Sequence, residues 1–227
     1  MLRISIILPV LNEEPHIVAC LDALQRVRGQ DCELVVTDGG SQDQTVALAK
    51  PLADQVITSP RGRAVQMNAG ARQASGTILW FLHADSLPPP GAAGLIRTAL
   101  SDPNRHWGRF DVKLSGCQPV LRIVETLMNH RSRLTGIATG DQGLFVRRAL
   151  FEQVGGYPPI ALMEDIALSR SLKCHSRPVC LRQRLETSSR RWERDGIAQT
   201  ILLMWRLRLA YFLGADPGRL ARSYYHP

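Results

Sequence analysis

The chain has 227 residues, of which 44% are hydrophobic, enough for one large domain or two small ones with a sizeable core. Its formal net charge of +8 indicates an anionic partner, such as nucleic acid, acidic lipid or a phosphorylated substrate. Arginines recur between 177 and 222, but lysine-rich runs are absent, so nucleic acid is not expected as a partner. The five cysteines are scattered without zinc-like spacing, and the first residues lack a secretory signal pattern. We therefore expect reduced thiols and a cytoplasmic location.

Strands and helices are predicted to alternate along the first 85 residues. Runs of apolar residues bounded by turn signals predict strands over residues 4–10, 33–38, 54–58 and 78–82. Helical spacing of apolar residues predicts a helix over 15–26, and a further helix is expected to end near Gly76. This alternation implies right-handed crossovers and a parallel sheet.

Polar residues stand where these strands end. Asn12 and Glu13 follow the first strand, Asp38 ends the second, and Asp85 follows the strand over 78–82. Ligands of open α/β sheets bind beyond the carboxyl ends of the strands. At that edge Asp85 either holds a divalent cation that carries a diphosphate or caps the following turn. Asp38 either faces a nucleoside or satisfies the amides of its own glycine turn.

Two further positions suit the chemistry of phosphates and hydroxyls. Arg63 beside Gly62 at a helix start is either a diphosphate contact or part of a solvated basic loop. Glu164 and Asp165 open a predicted helix, where acids are ordinary first-turn residues. One of them could instead deprotonate an acceptor hydroxyl. Spacing alone leaves both alternatives open.

The second half of the chain carries mixed elements. Helices are predicted over 91–100 and 119–134, and residues 108–114 alternate like an antiparallel or edge strand. A loop and strand are predicted over 140–148, before a short helix. Residues 197–213 are strongly apolar but include Arg206 and Arg208, which makes them a poor membrane span. They form either a core-packing helix or an interfacial helix held on acidic lipid.

The order of these motifs resembles the family 2 glycosyltransferases, which have the GT-A fold. The resemblance covers about residues 4–192. Within the family the chain is similar to small bacterial members found near radical-SAM and selenium- or arsenosugar-related genes. The motifs that carry the family resemblance are Pro-Val-Leu-Asn-Glu at 9–13, Val-Thr-Asp-Gly-Gly-Ser at 36–41, the helix with Gly62 and Asn68, Phe-Leu-His-Ala-Asp at 81–85, Gly-Gly-Tyr at 155–157 and Glu-Asp at 164–165. Gly-Asp-Gln at 140–142 and Arg-Arg-Trp at 190–192 match signatures of the small bacterial members.

The resemblance implies an α/β fold with a Rossmann-like, mixed but mostly parallel sheet flanked by helices. Residues 1–192 would form the transferase domain, and 193–227 a helical extension packed on it. The implied reaction is metal-dependent, inverting transfer of a sugar from a nucleotide-diphosphate donor, with UDP favoured, to a hydroxyl of a small or lipid-linked acceptor. Either Mg²⁺ or Mn²⁺ would be the cofactor. Apart from the resemblance, the interfacial alternative for residues 197–213 would give the C-terminal segment peripheral contact with the inner face of a membrane.

Roles follow from the family's motifs, position by position. Asp165 matches the catalytic base, and Asp85 matches the last acid of the metal-binding DxD motif. The donor is expected to contact Pro9, Asn12, Glu13, Asp38, Gly62, Arg63, Asn68, His83, Ala84 and Asp85. The acceptor or diphosphate side is expected to include Asp141, Glu164, Arg191 and Trp192.

Two departures from the family pattern qualify these roles. His83 replaces the first acid of the DxD motif, and as an imidazole it is a candidate metal ligand that suits Mn²⁺ better than Mg²⁺. Ser188 replaces the glutamine of the QxxRW motif, which argues against a processive polysaccharide synthase. Asp141 either contacts the acceptor or anchors its own loop.

Two other functions remain as alternatives. A sugar nucleotidylyltransferase uses a similar site, but it has a glycine-rich basic loop after the first strand, where this chain has Leu-Asn-Glu-Glu at 11–14. A non-catalytic basic protein that binds membrane or nucleic acid through its arginine-rich final third is the second alternative.

Overall fold

The computed structural model describes residues 2–29 and 31–225. Its strands are β1 (Ile4–Val10), β2 (Cys32–Asp38), β3 (Gln55–Thr58), β4 (Ile78–Phe81), β5 (Ser86–Leu87), β6 (Trp107–Leu114), β7 (Phe145–Arg147) and β8 (Val179–Thr187). Its helices are α1 (Ile17–Val27), α2 (Thr45–Ala49), α3 (Arg63–Gln73), α4 (Ala92–Ala99), α5 (Pro119–Thr135), α6 (Arg148–Gln153), α7 (Glu164–Lys173), α8 (Arg190–Asp195), α9 (Ile197–Phe212) and α10 (Pro217–Tyr225), with a 3-10 helix at Gly140–Gln142.

The strands form one mixed sheet in the order β3-β2-β1-β4-β7-β6-β8-β5. Strands β1 to β4 run parallel, as the alternating pattern predicts. Strand β6 is antiparallel to β7, as its pattern predicts, but β8 lies parallel on its other side. The expectation of an edge strand is therefore wrong, because β6 lies inside the sheet.

Helices cover both faces of this sheet, so its central strands have no solvent face. Every residue of β1 and β2 is buried. Along β1, Ile4, Ile6 and Leu8 pack in one cluster with α1 and α4, whereas Ile7 packs in another with α3, α6 and α7. This two-residue alternation is the pleat of a strand buried on both sides.

The C-terminal helices pack on the same body. Leu207 of α9 is buried in a cluster with Met163, which precedes α7, with Ile166 of α7 and with Leu220 of α10. Residues 226 and 227 of the expected extension lie outside the described residues. Within residues 2–29 and 31–225, no helix is both long and apolar enough to span a membrane.

Candidate active site

A cleft of about 760 Å³ opens at the carboxyl ends of β1 and β4. A smaller cavity of about 100 Å³ adjoins it, and both are lined by Arg63, His83 and Asp141. The volume of the cleft is typical of sites for small molecules and cofactors. Of the residues expected in the site, the cleft contains Pro9, Glu13, Gly62, Arg63, His83, Ala84, Asp85, Asp141, Arg191 and Trp192, and the smaller cavity adds Glu164 and Asp165.

Three of the expected donor residues lie outside the lining of both cavities. The carboxylate of Asp38 accepts hydrogen bonds from the amides of Gly40 and Ser41, at 2.9 and 3.0 Å. The side chain of Asn12 accepts a hydrogen bond from the amide of Gln42 at 2.9 Å. Asn68 bonds both backbone polar groups of a tyrosine in the Gly-Gly-Tyr motif. All three hold loops that border the cleft, and their contact with a donor stays a prediction.

Gln66 is a residue of the site that the sequence analysis missed. Its Nε2 donates to the carbonyl oxygens of Val10 at 2.8 Å and Thr37 at 2.9 Å. It thereby joins the first turn of α3, which carries Arg63, to the ends of β1 and β2. The signal in the sequence is a polar residue at a buried helical position, three residues after Arg63.

His83 faces the cleft as a neutral imidazole. Burial, and to a lesser extent the charge of Arg63, lower its pKa to about 3. Its Nδ1 lies 3.9 Å from Oδ1 of Asp141. The ring also lies against Gly140, where a Cβ atom would come within 2.4 Å of Cε1 and Nε2. Only glycine leaves room for the imidazole at this position.

Asp141 brings a carboxyl group to the wall that both cavities share. Desolvation and the charge of Asp85 raise its pKa to about 6, against the opposing effect of Arg63. Because 43% of the Asp141 side chain is accessible in the open cleft, water screens part of this effect. Asp85 also contributes to raising the pKa of Glu13, after burial. The charge of Asp85 therefore raises the pKa of two other acids of the cleft, Glu13 and Asp141.

Glu164 and Asp165 begin α7 at the smaller cavity. The residue before them, Met163, has the left-handed φ of 71°, which costs about 1–2 kcal/mol for a residue with a side chain. Oδ2 of Asp165 accepts a hydrogen bond from the Gly140 amide at 2.8 Å. Glu164 is only 6% exposed, and its burial and the neighbouring Asp165 raise its pKa.

Two arginines lie at or near the smaller cavity, and the sequence analysis did not assign them to the site. Arg208 of α9 lines the cavity together with Asp165, and Arg131 of α5, which is not a lining residue, lies within electrostatic reach of Arg208. Burial and the mutual repulsion of the two guanidinium groups lower the pKa of Arg131 to about 10. Its Nε and Nη2 are buried and have no hydrogen-bond partner among the described residues. Such a group is costly for the fold, and a functional role is one explanation for its presence.

The C-terminal helix α10 forms the outer wall of the cleft. The guanidinium carbon of Arg191 lies 3.6 Å from the centroid of the Tyr224 ring, and Nη2 donates to the Tyr224 carbonyl at 2.8 Å. Tyr224 lines both cavities. The Arg-Arg-Trp motif thus reaches the cleft as expected, with α10 held against it by a cation–π contact.

The residues of the cleft fit a Mg²⁺ or Mn²⁺ ion that is shared with a substrate. Among residues 2–29 and 31–225, no group of three or more His, Cys, Asp and Glu side chains is arranged to hold a metal. Such ions commonly take only one or two carboxylates and complete their coordination with phosphate oxygens and water. Asp85 supplies such a carboxylate in the cleft, and the neutral ring of His83 lies beside it.

Comparison with known proteins gives the chain its family. The family model described as "Glycosyl transferase family 2" matches residues 5–152, more than half of the chain. The chain belongs to glycosyl transferase family 2. The matched range includes Arg63, His83, Asp85 and Asp141, whereas Asp165 and the Arg-Arg-Trp motif lie beyond it.

Individual relatives agree with this assignment. The PGL/p-HBAD biosynthesis glycosyltransferase of Mycobacterium bovis is 41% identical over 88 residues, which are 36% of this chain and 34% of that protein. The chain thus spans about a third of the length of this relative.

Solved structures confirm the GT-A fold. The mannosyltransferase PcManGT from Pyrobaculum calidifontis, in complex with GDP-Man and Mn²⁺, is 22% identical with a TM-score of 0.66, over 92% of this chain and 61% of that one. S. aureus TarS 1-349, in complex with UDP-GlcNAc, is 18% identical with a TM-score of 0.68, over 82% of this chain and 58% of that one.

Proposed function

We propose that this protein is a metal-dependent, inverting glycosyltransferase that moves a sugar from a nucleotide-diphosphate donor to a hydroxyl acceptor. The observation that carries the proposal is the meeting of Arg63, His83, Asp85, Asp141 and Asp165 around two adjoining cavities at the strand ends. In this set Arg63 is a cation that can bind phosphates, Asp85 is a carboxylate that can bind a metal, and Asp165 is a carboxylate that can accept a proton. The family supports the reaction class.

The donor occupies the larger cleft in this proposal. Its nucleoside lies against the ends of β1 and β4, near Pro9 and Glu13, and its diphosphate faces Arg63 and Asp85. A bound Mg²⁺ or Mn²⁺ would neutralise the charge of the leaving diphosphate. Arg63 contributes a fixed positive charge at the same place, which stabilises the leaving group as negative charge develops on it.

Asp165 is the proposed base. Its carboxylate lies in the smaller cavity, on the other side of His83 and Asp141 from the nucleoside region. As the acceptor oxygen bonds to the anomeric carbon, Asp165 takes the hydroxyl proton and the bond to the diphosphate breaks. Attack from the face opposite the leaving group inverts the configuration. The hydrogen bond from Gly140 holds the carboxylate in position.

The finer identity of the substrates is part of the proposal. UDP is favoured as the donor nucleotide, and the neighbour TarS is a complex with UDP-GlcNAc, whereas PcManGT is a complex with GDP-Man. The acceptor is a small or lipid-linked hydroxyl compound.

The similarity to members near radical-SAM genes and the division at residue 192 stay predictions. The cytoplasmic location is also a prediction.

A nucleotidylyltransferase is less well supported. After β1, the chain places Asn12 at the left-handed φ of 52° and ties it to the loop after β2 through Ser41 and Gln42. This segment offers the cleft Leu11 and Glu13 rather than glycines and basic side chains. An acid at that place would repel the triphosphate that a nucleotidylyltransferase must bind.

A thermal-shift screen tests the proposal. UDP, GDP and their sugar conjugates are added with and without Mn²⁺, since a ligand that binds the native state raises its melting temperature. We expect a Mn²⁺-dependent rise for one nucleotide, lost in Asp85→Ala and kept in the control Asp22→Ala, which removes an exposed acid on α1. No rise with any nucleotide would favour a non-catalytic binding protein instead.

A further inference from the structure

The exposed apolar side chains of this protein are concentrated on two neighbouring helices. Eleven large hydrophobic residues are exposed among the described residues, and nine of these lie on α5, on α9 or at the residue that ends α9. Scattered single hydrophobic residues are normal on a surface, but a concentrated set marks an interaction site. We call this set the apolar face: Val120, Ile123, Leu127, Leu134, Leu202, Trp205, Leu209, Phe212 and Leu213.

The two helices run side by side, so their exposed residues form one surface. Ile197 and Ile201 of α9 pack against a cluster that includes Leu121 and Val124 of α5. Further along both helices, Arg208 lies within electrostatic reach of Arg131. Side chains advance by about 100° per residue around an α-helix. The exposed residues therefore lie on the outward faces that adjoin this seam.

The charges on these helices are of one sign. Helix α9 carries Arg206 and Arg208 and contains no acid, but Arg208 lines the smaller cavity rather than the apolar face. The only acid of α5, Glu125, is 1% exposed. Arg206 is exposed, and it lies one residue after Trp205, which is 65% exposed. An apolar face with tryptophan, an exposed arginine and no exposed acid on either helix has the composition of a helix that lies in the lipid interface.

These charges also argue against a second copy of the chain as the covering partner. In a two-fold symmetric contact the same surface would face itself, so the Arg206 of each copy would enter a contact to which neither α5 nor α9 brings an exposed acid. Like charges in contact oppose association. An anionic lipid surface is attracted by Arg206, since each basic residue near the membrane contributes about 1 kcal/mol.

We propose that the apolar face of α5 and α9 docks the protein on an anionic membrane surface. The proposal is independent of the transfer reaction, since it needs neither donor nor acceptor. It has one consequence for the site. Met204 and Arg208 of α9 line the smaller cavity, so docking sets that cavity about 10 Å from the lipid, the width of one helix.

Vesicle sedimentation tests the proposal with the whole protein. Wild-type protein is mixed with vesicles of phosphatidylcholine alone or with phosphatidylglycerol added, at low and high salt. We expect binding to the anionic vesicles only, and weaker binding as salt rises. The double variant Trp205→Ser, Leu209→Ser and the variant Arg206→Glu should each bind at least about tenfold more weakly.

Matched controls separate this result from a loss of folding. Val18→Ser removes an exposed apolar residue of α1, and Arg72→Glu reverses an exposed charge of α3, so both should bind as the wild type does. Circular dichroism should show that all variants are folded. Absence of binding to anionic vesicles would overturn the proposal, as would equal binding by the variants. Light scattering provides a further test. A dimeric wild type and a monomeric Trp205→Ser variant would also overturn the proposal, because a second copy would then cover the apolar face.

Discussion

The backbone amide of Gly140 donates a hydrogen bond to Oδ2 of Asp165 at 2.8 Å. This bond joins the 3-10 helix Gly140–Gln142 to the first turn of α7, two segments that are 25 residues apart in the chain. The same glycine lies against the ring of His83, and the next residue is Asp141. One short segment thus sets the relative positions of the proposed base, the imidazole and the second acid.

Replacing Gly140 with alanine should disturb this arrangement without unfolding the protein. The new Cβ would lie within 2.4 Å of the His83 ring, so the imidazole must move away from its place beside the cleft. We expect Mn²⁺-dependent nucleotide binding to weaken about tenfold, which corresponds to about 1.4 kcal/mol. Calorimetric titration measures this. Gly94→Ala is the control, because a Cβ there meets open space in a helix, and affinity unchanged in both variants would contradict the expectation.

Asp141 should make the stability of the metal-free protein depend on pH. Its pKa is raised from 3.8 to about 6 in the folded state, so the folded state holds this proton more tightly than the unfolded chain does. The stabilisation is complete below about pH 3.8 and is lost as the pH rises through about 6. Asp141→Asn cannot ionise, so its melting temperature should exceed that of the wild type at pH 7.5 and approach it at pH 4.5. An equal difference at both pH values would rule out ionisation of Asp141 as the cause.

Arg131 should reduce the stability of the fold. Its Nε and Nη2 are buried without hydrogen-bond partners in the described structure, and Arg208 repels it. Arg131→Met keeps the aliphatic volume and removes the charge, so we expect about 1 kcal/mol of added stability in urea unfolding. Arg133→Met is the matched control on the same helix. Arg133 is paired with Asp111 and the carbonyl of Cys180, so its loss should cost about 1–3 kcal/mol. A fall in stability for Arg131→Met would contradict this reading.

The sequence predicts the parallel half of the sheet well, because its strands are continuous apolar runs. Residues 4–10 become β1 with the predicted bounds, and β4 starts at the predicted residue. Strand β8 is missed, because its residues include Arg182, Arg184 and Glu186 and its pairing partner β6 lies 65 residues or more away. Backbone pairing at that distance leaves no local pattern.

Positions at strand ends are also predictable, because the carboxyl ends of parallel strands meet at one edge of the sheet. This accounts for Pro9, Glu13 and Asp85 in the cleft. The long-range partners of side chains are not predictable. Asn68 bonds Tyr157, 89 residues away, and Arg208 reaches the smaller cavity only because α9 packs over α7. Both follow from packing between elements that are distant in the chain.

The assignment of Asp165 as the base is tested by comparing Asp165→Asn with the wild type in donor binding and in donor hydrolysis. The nucleotide sugar is the one that gives the Mn²⁺-dependent thermal shift, and water serves as the acceptor. Because only the base is lost, we expect affinity within about twofold of the wild type and hydrolysis slowed at least about 100-fold. Glu164→Gln, at the neighbouring position, is the control and should retain more activity. Hydrolysis by Asp165→Asn at the wild-type rate would contradict the assignment of Asp165 as the base.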